Sequence, residues 1–319
     1  MSAADPLNAP VKVAQGKPGT PMLTPRNRRE LRKLGVGLVF ISPWIVGFLA
    51  LNLYPIIASF YYSLTRYSPI SSPRFIGAFN YEKLLFFDPL FIKALTNTLY
   101  FVVFAVPLGN MLALALAVLL NQKVKGLSVF RTIFYLPSIL PLVATSIVWT
   151  WLLHPQYGAV SVIMAELGLP IISWFSDPQW AKPALIMMSM WGTGWMMLIY
   201  LAALQDVPQE LYDVASLDGA SLWRKFRHVT VPMISPIILF NTIVGLIGAF
   251  QYFTEAYIIT EGGPGDSTLF YSLYLFNNAF AYFKMGYASA MAWILFLVIL
   301  ILTFLIFRTS AKRVYYHGN

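Results

Sequence analysis

The sequence contains no cysteine, which excludes disulfides, thiol nucleophiles and thiolate-held metals. Histidine is nearly as scarce. His154, His228 and His317 are the only three, and they lie far apart in the chain. No HExxH helix occurs, so a histidine-held metal has no candidate. Charge is thin as well. Asp, Glu, Lys and Arg make up 11% of the 319 residues, against about 25% in a soluble domain, so a soluble enzyme is excluded. There is no GxxxxGKS/T loop, and the chain is not expected to hold ATP by a P-loop. The stretch 262–266 (GGPGD) is rich in glycine, but proline interrupts it and no strand precedes it. It reads as a turn.

What the chain has in abundance is apolar length. It is 58% hydrophobic, with a mean hydropathy of +0.66. A bilayer crossing takes roughly 20 apolar residues. Six intervals free of Asp, Glu, Lys and Arg are long enough: 34–65, 94–122, 132–165, 183–205, 229–254 and 285–307. A seventh, 267–283, is shorter and rich in Tyr, Phe and Asn, and is expected to be interfacial or extramembrane. The expected fold class is an all-α integral membrane protein with six transmembrane helices.

The net charge of +9 is a topology signal. Of the 22 Lys and Arg, only Arg66, Arg74, Lys83, Lys93, Lys182 and Lys284 lie outside residues 1–33, 123–131, 205–232 and 308–319. Positive segments stay in the cytoplasm. Both termini and the 205–232 segment are therefore expected on the cytoplasmic side of a multi-pass inner-membrane protein. No nucleic acid partner is implied. The basic cluster before the first span reads as a plain stop signal at the membrane lipid, the alternative being specific binding of anionic lipid. The domains expected are a disordered basic tail (1–33), a six-helix membrane domain (34–308, with a loop at 206–232) and a short cytoplasmic tail (309–319).

Two constellations stand out. The first is polar chemistry within the spans. No Lys, Arg, Asp or Glu sits near the centre of any span, which argues against proton- or sodium-coupled carriage and against enzyme chemistry. Ser138, Thr145, Ser189, Thr193, Gln251 and Thr254 remain, with Glu255 at an edge. Together with the flat faces of Trp191, Trp195 and Phe250 they suit a neutral, hydroxyl-rich ligand. The second is 208–232, PQELYDVASLDGASLWRKFRHVTVP. Pro208 suits a first helical turn, Glu210 and Asp213 sit near that helix's positive end, and Gly219 breaks it. Ser221 can cap a second, basic helix, and Pro232 opens the next element. A rigid helical hairpin between two spans is a docking surface.

That hairpin resembles the cytoplasmic loop of binding-protein-dependent ABC importer permeases. The loop pattern is an acid-Ala-Ala triplet, three residues, Gly, nine residues, then Ile-x-Leu-Pro. Here Asp213-Val214-Ala215 fills the triplet, Gly219 the glycine and Val229-Thr230-Val231-Pro232 the close. Leu217-Asp218-Gly219-Ala220, Asn80-Tyr81, Asn97-Thr98, Trp174-Phe175-Ser176-Asp177-Pro178 and Glu261-Gly262-Gly263-Pro264 are similar to sugar-importer permeases, nearest the larger maltose-type subunit. The match runs from about residue 35 to 308.

The resemblance implies the type I importer permease fold with a cytoplasmic coupling helix. Its partners would be a second homologous permease, two copies of a cytoplasmic ATPase that bind ATP-Mg, and an extracytoplasmic sugar-binding protein. This chain would hold no cofactor. The ATPase contact falls on Glu210, Asp213, Ala215, Asp218, Gly219, Ala220 and Arg224. Sugar contacts fall on Ser138, Ser189, Gly192, Thr193, Phe250, Gln251 and Thr254, with Trp191 added on its own chemistry. Leu142 and Met196 stand where the maltose-type subunit has hydroxyls. The substrate expected is a di- or oligosaccharide, the alternative being glycerol-3-phosphate or another polar solute.

Overall fold

A computed structural model describes residues 25–122 and 125–310, with side chains from Lys33 onward. The tail expectations for 1–24 and 311–319 lie outside these residues. Where the expected N-terminal tail overlaps them it is already helical, because α1 (Pro25–Phe48) opens at Pro25. The chain divides into two compact units, one to Ala58 and one from Ser59.

In the first unit α1 runs through a widened π-helical turn, Leu49–Leu53, into α2 (Tyr54–Ser63). The Tyr54 N–H donates to the Leu49 carbonyl. Pro55 follows directly and has no N–H to give, so the ladder is loosened where a donor is missing.

The second unit begins with a departure from an all-helical chain. The expected outer loop at 66–93 holds an antiparallel ribbon, β1 (Thr65–Ser68) and β2 (Ser71–Phe75), and a short helix, α3 (Phe79–Phe86). Asn80 Nδ2 donates to the Ser63 and Thr65 carbonyls at 2.8 and 2.9 Å, fixing the ribbon to α3.

The central helix is α4 (Pro89–Leu120). Asp88 caps it, with Oδ1 accepting from the N–H groups of Leu90 and Phe91, and Pro89 fills the first position. The same carboxylate's Oδ2 accepts from the hydroxyls of Tyr274 and Tyr287. One side chain thus joins the start of α4 to two later elements. Ala105, Gly109, Ala113 and Ala117 recur every fourth residue and are all buried, a small-residue stripe along which neighbouring helices approach closely.

After α4 come α5 (Leu127–Tyr135), α6 (Leu142–Leu152), α7 (Ala159–Glu166), α8 (Pro178–Trp191) and α9 (Gly194–Gln205). The hairpin is α10 (Gln209–Leu217) and α11 (Leu222–Lys225). Then follow α12 (Val231–Met233), α13 (Ser235–Phe250), α14 (Tyr271–Phe276) and α15 (Met285–Ser310). Among the described residues three helices are long and apolar enough to cross a membrane: Lys33–Ser63, Pro89–Leu120 and Met285–Ser310. Three further pairs meet that standard as bent spans, giving up to six. Each bend has a local cause. Pro137 and Pro141 separate α5 from α6 at 101°. Gly192 and Thr193 leave the helix between α8 and α9, at 47°. Leu222–Met233 meets α13 at 68°, where Pro236 stands in the first turn of the new helix.

Two apolar clusters hold the second unit. One gathers Phe91, Phe101, Phe250, Phe270, Tyr271 and Met291. The other gathers Ala113, Ala117, Met197, Tyr200, Leu204 and Ile234. The helix α4 contributes to both. The first half of the 267–283 segment packs into the first cluster, while Phe280, Tyr282 and Phe283 are exposed. Tyr271 is fully buried. Its N–H donates to Thr98 Oγ1, and its hydroxyl to the Met291 carbonyl. Asn97 Nδ2 donates to the carbonyls of Asp266 and Leu269. The Asn97-Thr98 pair thus anchors the loop beyond α13.

Candidate functional site

A cavity of about 380 Å³ lies among α4, the α5–α6 break, the α8–α9 break and α13. It sits where spans are broken because only there can backbone and small polar side chains face a void within an apolar bundle. Five sequence candidates line it: Ser138, Ser189, Trp191, Gly192 and Thr193. Their polarity has a direction. Ser138 Oγ donates to the Tyr135 carbonyl at 2.6 Å, Ser189 Oγ to Ile186 at 2.7 Å, and Thr193 Oγ1 to Met190 at 2.9 Å. With their protons used in their own helices, these hydroxyls offer lone pairs to a ligand. Trp191 presents an aromatic wall braced edge-on by Trp149 at 5.8 Å.

Three candidates fall elsewhere. Phe250 is fully buried in the apolar core, and its carbonyl accepts from Ser272 Oγ. Gln251 is exposed just past the end of α13, and Thr254 is half-buried; neither lines the cavity. Leu142 and Met196 do line it.

Sequence reasoning passed over one other residue, Tyr252, and misjudged a second. Tyr252 lines the cavity, as does the span hydroxyl Thr145 named above, and among the described residues both hydroxyls are buried without a partner. Glu255, expected at the edge of a span, lines the cavity and is buried. No Lys or Arg is among the lining residues. Helix α13 ends at Phe250, and residues 251–253 are not α-helical. The lining positions Gly245, Gly248, Tyr252 and Glu255 nevertheless keep helical spacing, and Gln251 falls off that face. The visible signal was an acid closing an apolar run.

The hairpin has the expected form. Gly219 has φ +72°, the left-handed turn that glycine takes without strain. Ser221 Oγ accepts from the Arg224 N–H. Pro208 stands one place earlier than expected, as the N-cap. The second arm does not stop, because α11 continues through a π-helical turn, Phe226–Thr230, into α12 and so reaches the fifth span. Two cross-links close the hairpin: Lys225 Nζ donates to Ser216 Oγ at 2.6 Å, and the hydroxyls of Tyr212 and Thr230 meet at 2.9 Å. Glu210, Asp213, Asp218, Gly219 and Arg224 are exposed, while Ala215 and Ala220 are half-buried. Leu217 is 89% exposed, Leu222 84% and Trp223 66%. Apolar side chains thus lie bare beside exposed charged ones, a composition that suits a protein partner.

Bent spans around a polar cavity, with an exposed docking hairpin between two of them, define an integral membrane permease. Residues 105–316 match the family described as "Binding-protein-dependent transport system inner membrane component", and the chain belongs to that family. It is 41% identical to a probable ABC transporter permease protein, YesP, of Bacillus subtilis, over 92% of this chain and 96% of that one. It is 37% identical to the lactose transport system permease protein LacF of Rhizobium radiobacter, over 87% and 94%. Among solved structures, a bacterial alginate ABC transporter in complex with an alginate pentasaccharide-bound periplasmic protein shares the fold. Its TM-score is 0.79 at 22% identity, covering 90% of this chain and 98% of that one.

Proposed function

We propose that this chain is one permease subunit of an ATP-driven importer that passes a neutral di- or oligosaccharide across the inner membrane, both termini being cytoplasmic. It works with a second homologous permease, two cytoplasmic ATPase subunits that bind ATP-Mg, and an extracytoplasmic sugar-binding protein. One observation carries the coupling. The hairpin's first arm follows α9 and its second arm runs into the span of α13, and both α9 and α13 wall the cavity. Force on the hairpin therefore reaches the cavity through short connections, residues 206–208 into α9 and the bend at Ile234 into α13, with the hairpin stiffened by the Lys225–Ser216 and Tyr212–Thr230 bonds. The exposed residues Glu210, Asp213, Asp218, Gly219 and Arg224, with Ala215 and Ala220 beside them, make the ATPase contact.

The cavity's chemistry supports a neutral sugar. Ser138, Ser189, Thr193 and Glu255 accept hydrogen bonds, Thr145 and Tyr252 donate them, and Trp191 stacks on sugar C–H faces. An anionic solute such as glycerol-3-phosphate would meet Glu255 and no cation on this wall. Gln251 and Thr254, outside the cavity of the single chain, contact sugar only where the second permease completes the path.

Purified from membranes, the chain is expected to co-elute with an ATP-hydrolysing subunit and a second permease. In proteoliposomes, sugar-loaded binding protein should raise ATP hydrolysis severalfold. Uptake by this chain alone, without nucleotide, would refute the proposal. Within the site, Glu255→Gln keeps the shape and removes the charge. Losing charge-assisted hydrogen bonds of about 1.5–3 kcal/mol should lower sugar transport roughly ten- to hundredfold, with the binding protein's own affinity unchanged. Wild-type uptake and specificity in that variant would remove Glu255 from the path.

A further inference from the structure

A second cavity, of about 340 Å³, is formed by residues 65–83 and 283–287, at the end of the spans away from the hairpin. Its lining includes Arg66 on the ribbon, Lys83 on α3 and Lys284 just before α15, and no Asp or Glu. Among the described residues none of the three forms an ion pair. Lys83 Nζ lies 5.6 Å from the Tyr287 ring centroid, and Lys284 Nζ lies 5.4 Å from that of Tyr282. Aromatic faces leave ammonium protons free for an acceptor. The acid just before α4, Asp88, is engaged by the Tyr274 and Tyr287 hydroxyls and the α4 cap.

The cluster is held in place by backbone. Gly286 lets α15 touch the ribbon, since a Cβ there would strike the Thr65 carbonyl oxygen. Phe283 has φ +54°, a conformation that costs a bulky residue energy, and the Lys284 N–H is tied to the Asn278 carbonyl at 2.8 Å. Together these set Lys284 beside the ribbon's Arg66. Like charges gathered around one void repel unless an anion sits among them.

The lining also indicates which anion. Thr65, Tyr67 and Ser68 supply hydroxyl groups, while Phe79 and Phe283, each about half exposed, stand at its edge. Exposed aromatic rings at the end of a span belong at the membrane–water boundary. We propose that this cavity binds the phosphodiester headgroup of an anionic phospholipid in the leaflet opposite the hairpin. The Arg66 guanidinium would take the phosphate oxygens in its fork, Lys83 and Lys284 would add point charges, and Phe79 and Phe283 would lie against the glycerol esters. The site is separate from the transport cavity and does not depend on which solute is carried.

The test is native mass spectrometry of the purified protein, titrated with phosphatidylglycerol or phosphatidylcholine, with and without millimolar inorganic phosphate. Phosphatidylglycerol should be retained about tenfold over phosphatidylcholine, and phosphate should not displace it. The Arg66→Gln/Lys83→Gln/Lys284→Gln variant should lose that preference, and Lys284→Gln alone should weaken it severalfold. Lys93→Gln/Lys182→Gln, which removes cations outside the cavity, should keep it. Equal retention of the two lipids, an unchanged preference in the triple variant, or full displacement by phosphate would each overturn the proposal. The last would indicate a free-anion site.

Discussion

Replacing Gly219 with valine should abolish ATP-driven sugar uptake while the protein still folds and still receives substrate from its binding protein. At φ +72° a side chain is strained whatever the space. Nothing lies within 4 Å of where a Cβ would stand, so the effect is conformational and not a clash. A β-branched residue held left-handed costs about 1–3 kcal/mol. The hairpin escapes that strain by opening its turn, which carries Leu217 and Leu222 out of register with each other. Gly219→Asn should keep most activity, because asparagine visits this conformation readily, and Gly219→Ala should fall between. The measurements are sugar-stimulated ATP hydrolysis and uptake in proteoliposomes, beside a thermal melt to establish folding. Uptake ranked without regard to left-handed tolerance would show that the turn's geometry does not transmit the stroke.

Gly194→Ala should cause the largest loss of folded protein. This glycine opens α9 where the fourth span bends. A Cβ there would stand 2.5 Å from the Phe134 carbonyl oxygen, 2.9 Å from Tyr135 Cα and 3.2 Å from Ser138 Oγ. Two of these are backbone atoms that cannot rotate away. Overpacking a well-filled site costs about 1–3 kcal/mol, and here it also forces apart the third and fourth spans where both line the cavity. Yield and melting temperature should drop sharply, and whatever folds should bind sugar poorly through the displaced Ser138. Gly248→Ala is the control, since nothing lies within 4 Å of its Cβ position although Gly248 borders the same cavity. Equal stability of Gly194→Ala and Gly248→Ala would mean that the two spans do not meet as described.

The expectations that rested on strong local chemistry hold in the structure. A proline pair four residues apart, Pro137 and Pro141, removes donors that no side chain replaces, and the third span breaks there. Gly219 between an acidic helix and a serine cap leaves the chain one economical turn, and it takes it. The expectations that failed needed knowledge of long-range packing. Gln251 was carried over by resemblance, and it lies exposed past the end of α13. Phe250 proved to be core, and Tyr252 and Glu255 took the cavity wall. The burial of residues 267–271 was equally out of reach of local reading. It depends on Asn97 and Thr98, some 170 residues earlier, binding their backbone.

Composition and spacing alone determined that the chain lives in a membrane, crosses it about six times, and displays a helical hairpin with a glycine turn. Those features follow from the cost of charge in hydrocarbon and from backbone rules that act over a few residues. Tertiary structure alone decided which polar groups share a void and that an acid stands among them. It also decided that unpaired cations gather at the far end of the spans. Those juxtapositions depend on where broken helices re-enter the bundle, which is set by contacts between residues far apart in the chain.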